Sequence, residues 1–208
     1  MKALFLRRAV ATAVCFLFAF SFAHIAQAQP FQAEACEPDC FNDKFTPLGV
    51  LPPVMVEVPG QPGCFLEISY GYRFACNTWH DFFIYKVTPF GNGCDPAFIS
   101  DPNALIQTAT TLLLLSNPPT DPAGTTVGPT KPTNPGDVNC VTNWRVLKGT
   151  CWKDYGGFSG ACEVSPDCCL KPYTVCRDFC DNVTVTGSPS SAAGTPCGED
   201  PSCIQVCD

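Results

Sequence analysis

The sequence predicts an all-β, disulfide-rich fold, built as two-layer antiparallel sheets or a sandwich with one core helix near residues 102–116. Three observations carry that expectation. The chain holds 16 cysteines in 208 residues, a density found where disulfides replace part of a hydrophobic core. It also holds 21 prolines and 16 glycines against only 15% charged residues, which favours short strands joined by turns over long helices. Finally, from Cys64 to Cys76 every even position is apolar or cysteine: Cys64, Leu66, Ile68, Tyr70, Tyr72, Phe74 and Cys76. That period of two places those seven residues on one sheet face, with Glu67, Ser69, Gly71 and Arg73 turned to water.

The other elements follow in chain order. Residues 29–53 read as irregular, and Val54, Val56 and Val58 alternate as a short strand stopped by Pro59-Gly60. Asn77-Thr78 turns the Cys64–Cys76 strand into a second aromatic strand, Trp79 to Thr88, as a hairpin. Asn103 to Ser116 is too short and too rich in threonine to span a membrane. It reads instead as the core helix, with Ser100 or Asp101 as N-cap and Asn117-Pro118-Pro119 as its stop. Residues 117–137 are a Thr/Pro/Gly-rich connection, open to O-linked sugars. Beyond it Cys140 to Lys148 is a strand with Trp144 and Val146 on one face, and Lys148-Gly149-Thr150 allows a bend. Cys168 to Cys176 is a strand that Pro172 confines locally to an edge or a bulge, and Val183 and Val185 belong to its short partner. Arg73-Phe74-Ala75-Cys76 and Arg177-Asp178-Phe179-Cys180 look alike, each leading from a cysteine-headed strand into a second strand.

Residues 1–28 read as a secretory leader: Lys2, Arg7 and Arg8, the apolar run from Ala9 to Phe22, and the cleavage site Ala26-Gln27-Ala28. The expected organisation is then an N-terminal β region with the core helix (29–116), the connection (117–137), and a C-terminal Cys-rich β region (138–208), as two units or one domain. Three basic residues leave with the leader, so nine remain against 19 acidic ones and the exported chain carries −10. A charge of that sign repels nucleic acid and anionic lipid. The predicted location is secreted, extracellular or at the cell surface, with no membrane span in the mature chain.

Fifteen cysteines enter the oxidising compartment: Cys36, Cys40, Cys64, Cys76, Cys94, Cys140, Cys151, Cys162, Cys168, Cys169, Cys176, Cys180, Cys197, Cys203 and Cys207. All are disulfide candidates; at most seven bridges form, and one sulfur is left over. Their pairing does not follow from the sequence.

Pro62-Gly63-Cys64, the strand Asn143-Trp144-Arg145-Val146 followed by Cys151-Trp152, and the run Cys168-Cys169-x3-Tyr173-x-Val175-Cys176 together resemble a loose group of secreted Cys-rich bacterial proteins. The resemblance spans about two thirds of the mature chain and implies an extracellular role, with no activity attached.

Catalytic, cofactor and metal residues are all expected to be absent. No C-x2-C knuckle or redox C-x-x-C pair occurs, and His80 is the single histidine after the leader. His80 beside Asp81 lacks a G-x-S-x-G elbow. Glu57, Glu67, Asp81 and Glu163 could pair as glycosidase carboxylates only if folding brings two of them to one groove. Trp79, Tyr85, Trp152 and Tyr155 are candidate stacking platforms for a glycan. The predicted function is therefore a secreted, disulfide-stapled structural or surface-assembly protein, a filament or polymer subunit that self-associates through its chain ends or the unpaired cysteine. A secreted glycan- or ligand-binding module is the alternative. An inhibitor presenting the loop Trp152 to Ala161 and a secreted enzyme rank below both.

Overall fold

The computed structural model describes residues 40, 42–162, 168–188, 197 and 200–207. The expected leader, Cys36, Glu163 and the middle of the C-terminal tail lie outside the described residues. Nine strands form one sheet: β1 (Val54–Glu57), β2 (Phe65–Ala75), β3 (Trp79–Phe90), β4 (Val138–Gly149), β5 (Cys151–Asp154), β6 (Ser159–Ala161), β7 (Cys168–Asp178), β8 (Val183–Gly187) and β9 (Ile204–Gln205). A short helix α1 (Pro96–Ile99) precedes α2 (Pro102–Leu115). The all-β, disulfide-rich class stands as the sequence predicts, with one long helix among the described residues.

The sheet branches at β3. One edge of β3 pairs antiparallel with β2, which carries β1 beyond it. The opposite edge pairs first with β4, over His80 to Ile84, and then with β6, at Lys86 and Val87. From β4 the sheet continues to β7 and β8, and from β6 to β5 and β9. The β3–β4 pair is parallel, so the sheet is mixed and not wholly antiparallel. A parallel pair needs a long crossover, which here comprises α1, α2 and the 117–137 connection. The bend at Thr150, between β4 and β5, lets the chain leave one branch and enter the other.

Helix α2 lies across one face of this sheet. Asp101 caps it, its carboxylate accepting the Asn103 and Ala104 amides at 3.0 and 3.3 Å, and Pro102 occupies the first turn. Leu105, Ile106, Ala109, Leu113 and Leu114 pack on Leu66, Ile68 and Tyr70 of β2, Phe82 and Ile84 of β3, and Trp144 and Val146 of β4. Trp152, Val175 and Val206 join that same core, so residues before and after the connection share it. The connection is tied down: Tyr70 donates its hydroxyl proton to the Pro119 carbonyl at 2.6 Å, and the Gly128 amide donates to Asn117 Oδ1 at 2.9 Å.

The face opposite the helix has its own cover. Phe45 and Leu48 pack on Phe83 and Leu147 in a second cluster. Thr46 pairs with the backbone of Tyr72, its amide donating to the Tyr72 carbonyl at 2.8 Å and its hydroxyl accepting the Tyr72 amide at 3.0 Å. Cys40–Cys76 fastens this segment. The alternation in β2 therefore holds only in part: Leu66, Ile68 and Tyr70 face the helix as predicted, but Phe74 lies beyond the helix and is 43% exposed. Arg73, expected in water, is 2% exposed under residues 42–48.

Candidate functional site

Beneath that second cover lies a charged row built by strand register. Arg73, Asp81 and Arg145 are direct partners across β2, β3 and β4. Arg73 Nε donates to Asp81 Oδ2 at 2.9 Å; Arg145 Nε and Nη2 donate to Oδ1 and Oδ2 at 2.6 and 2.8 Å. Phe45 covers the Arg73 guanidinium at 4.7 Å and Trp79 covers that of Arg145 at 4.9 Å. Both carboxylate oxygens of Asp81 are engaged, so it is neither an available base nor half of a glycosidase pair. Its neighbour His80 points to the other face, where its Nδ1 lies 2.7 Å from the Tyr72 hydroxyl and Phe74 packs against its ring. Burial lowers the His80 pKa, a shift that the Asp81 charge opposes. Burial first and then Asp81 push the Tyr72 phenol up to about 12. The tautomer of His80 sets which of the two groups donates in this bond. Glu57 accepts the Gly63 amide at 2.9 Å, and Glu67 lies 4.0 Å from Lys86.

The candidate glycan platforms are mostly occupied. Trp152 is fully buried, its Nε1 donating to the Gly149 carbonyl at 3.0 Å. Trp79 rests on Arg145, and the Tyr85 hydroxyl accepts the Gly49 amide at 3.0 Å. Tyr155 stacks on Phe158 at 5.1 Å, with Lys153 over the Tyr155 ring and Lys86 over that of Phe158.

Cysteine is where the chain concentrates its chemistry. Among the described residues six bridges join Cys40–Cys76, Cys64–Cys94, Cys140–Cys176, Cys151–Cys197, Cys162–Cys203 and Cys169–Cys207. Cys168 is also disulfide-bonded. Cys180 is free and exposed. The two look-alike Arg-x-x-Cys segments are both hairpin tips, of β2–β3 and β7–β8, but Cys76 is bridged and Cys180 is not.

The tip that presents Cys180 is well braced. Asp178 Oδ1 accepts the Asn182 amide and Oδ2 the Asn182 side-chain amide, each at 2.8 Å. These bonds hold the Asp178 carboxyl below its usual range. Arg177 pairs with Asp181 at 2.8 Å, and Asp181 takes the left-handed φ of 73° that closes the turn. Behind the tip Cys140–Cys176 staples β7 to β4 at opposed positions. The outcome is one exposed thiol on a fixed hairpin, beside a strand paired on one side only among the described residues. No family model matches the chain, and the searches of curated proteins and of solved structures find no match either.

Proposed function

We propose that this chain is an exported, disulfide-stapled structural protein with no catalytic role, and that copies of it are joined into an extracellular assembly through Cys180. The observation that supports this reading is the contrast between Cys180, exposed and unbonded, and twelve cysteines paired within the chain. Joining two thiols as a disulfide removes two electrons and two protons, which an extracellular oxidant such as dioxygen or a disulfide exchange partner accepts. The intrachain bridges supply durability, each worth about 2 to 4 kcal/mol. The test is non-reducing electrophoresis of material released by the native cells. The reading expects a dimer band that vanishes with dithiothreitol and is missing from Cys180→Ser. Monomers alone, each with one titratable thiol, would overturn it.

A further inference from the structure

The outer edge of β8 follows from two hydrogen bonds. The Asp178 amide donates to the Asn182 carbonyl at 3.0 Å, and the Ser188 amide donates to the Pro172 carbonyl at 2.9 Å. In an antiparallel ladder the bonded positions alternate. Asn182, Thr184, Thr186 and Ser188 therefore bond to β7, while the amides and carbonyls of Val183, Val185 and Gly187 point away from it. Among the described residues no strand receives them.

Natural sheets guard such edges with charge, proline or brevity. The other two outer strands are guarded: β1 ends in Glu57 and lies between Pro52-Pro53 and Pro59, and β9 has only two residues. β8 reads Val-Thr-Val-Thr-Gly, five residues without a charge, a proline or a bulge.

We infer that β8 is a self-pairing edge, and that its occupant is β8 of a second copy in antiparallel register about Val185. The inference deepens the assembly reading and rests on it. The strand itself selects a second copy, because it is self-complementary: this register sets Val185 opposite Val185 and Val183 opposite Gly187 as hydrogen-bonded pairs, with Thr184 opposite Thr186 between them.

The geometry also gives Cys180 its partner. Cys180 lies five residues from the proposed two-fold axis, and at about 3.3 Å per residue the two thiols of a β8 pair stand roughly 30 Å apart. They cannot bond to each other, so each bonds to a third copy. Two different two-fold contacts in alternation extend the assembly beyond a dimer, into an open chain or a closed ring.

The test uses the exported, oxidised chain as Cys180→Ser, which isolates the edge contact from the covalent one. Sedimentation equilibrium should find dimers. Amide exchange should find Val183, Val185 and Gly187 protected in the dimer and released on dilution, with Thr184 and Thr186 protected in both states. Val185→Pro removes one outward amide and no β7–β8 bond, and should weaken dimerisation at least tenfold. Thr184→Lys/Thr186→Lys, which leaves the backbone intact, should do the same through repulsion between facing lysines. Dimers whose Val183, Val185 and Gly187 amides exchange freely would overturn the edge and leave self-association standing. A monomeric Cys180→Ser beside a covalently dimeric wild type would do likewise. Monomers in both would overturn the two together.

Discussion

Asp81 is the residue on which the interior of the sheet turns. Two guanidinium groups share its carboxylate in a site closed to water, and removing the acid leaves both cations buried without their counter-charge. Asp81→Asn should cost about 3 to 5 kcal/mol in urea unfolding. His80 supplies a pH signature. Its folded pKa lies below the ordinary 6.5, so below that pH the unfolded chain binds the proton more readily. Stability should be unaffected above 6.5, fall as pH drops through it, and level off once the folded histidine is itself protonated. His80→Gln should flatten that limb of the urea-midpoint profile. The sequence could not place Arg73 correctly because its surroundings come from residues 42–48, some 30 positions earlier in the chain. Alternation reports which side of a strand is apolar, and it cannot report that a distant segment lies down on the polar side.

At the scale of elements, the strands and the core helix were legible because each has its own periodicity and punctuation. The helix runs Pro102–Leu115 where the sequence predicts 102–116, and the hairpin turns on Cys76 and Asn77, both with positive φ, one residue before the expected Asn77-Thr78. Pro172 needed the neighbouring strands to be understood. Its backbone faces Ser188, just past the end of β8, so the missing amide falls where the ladder is already finished. A β4 bulge between Val141 and Trp144 lies two pairs away. The parallel β3–β4 pairing left no mark in the sequence, since strand direction depends on the crossover and not on the strand. Staples can be ranked at this scale. Removing the β4–β7 bridge by Cys140→Ser/Cys176→Ser should cost about 2 to 4 kcal/mol, whereas Cys180→Ser should change stability by less than about 0.5 kcal/mol. Thermal denaturation of the two variants side by side checks both values.

For the whole molecule, sulfur and a modest core share the work of holding the chain. None of the six described bridges crosses the 117–137 connection; the pairing of β3 with β4 and β6 and the shared core join its two flanks. Fifteen cysteines beyond the expected leader announced a stapled body with one sulfur over, but cysteine spacing could not say which one, because pairing is fixed by the strands that bring the thiols together. Cys76 and Cys180 sit at equivalent tips with nearly the same local sequence, and only Cys76 has Cys40 beside it. Among the described residues no helix is long and apolar enough to cross a membrane. The most direct test is peptide mapping by mass spectrometry of exported material, alkylated before any reduction. The account predicts the intrachain pairs given above together with a peptide that joins Cys180 to Cys180 of another copy. Alkylated Cys180 throughout, with no cross-linked peptide, would contradict it.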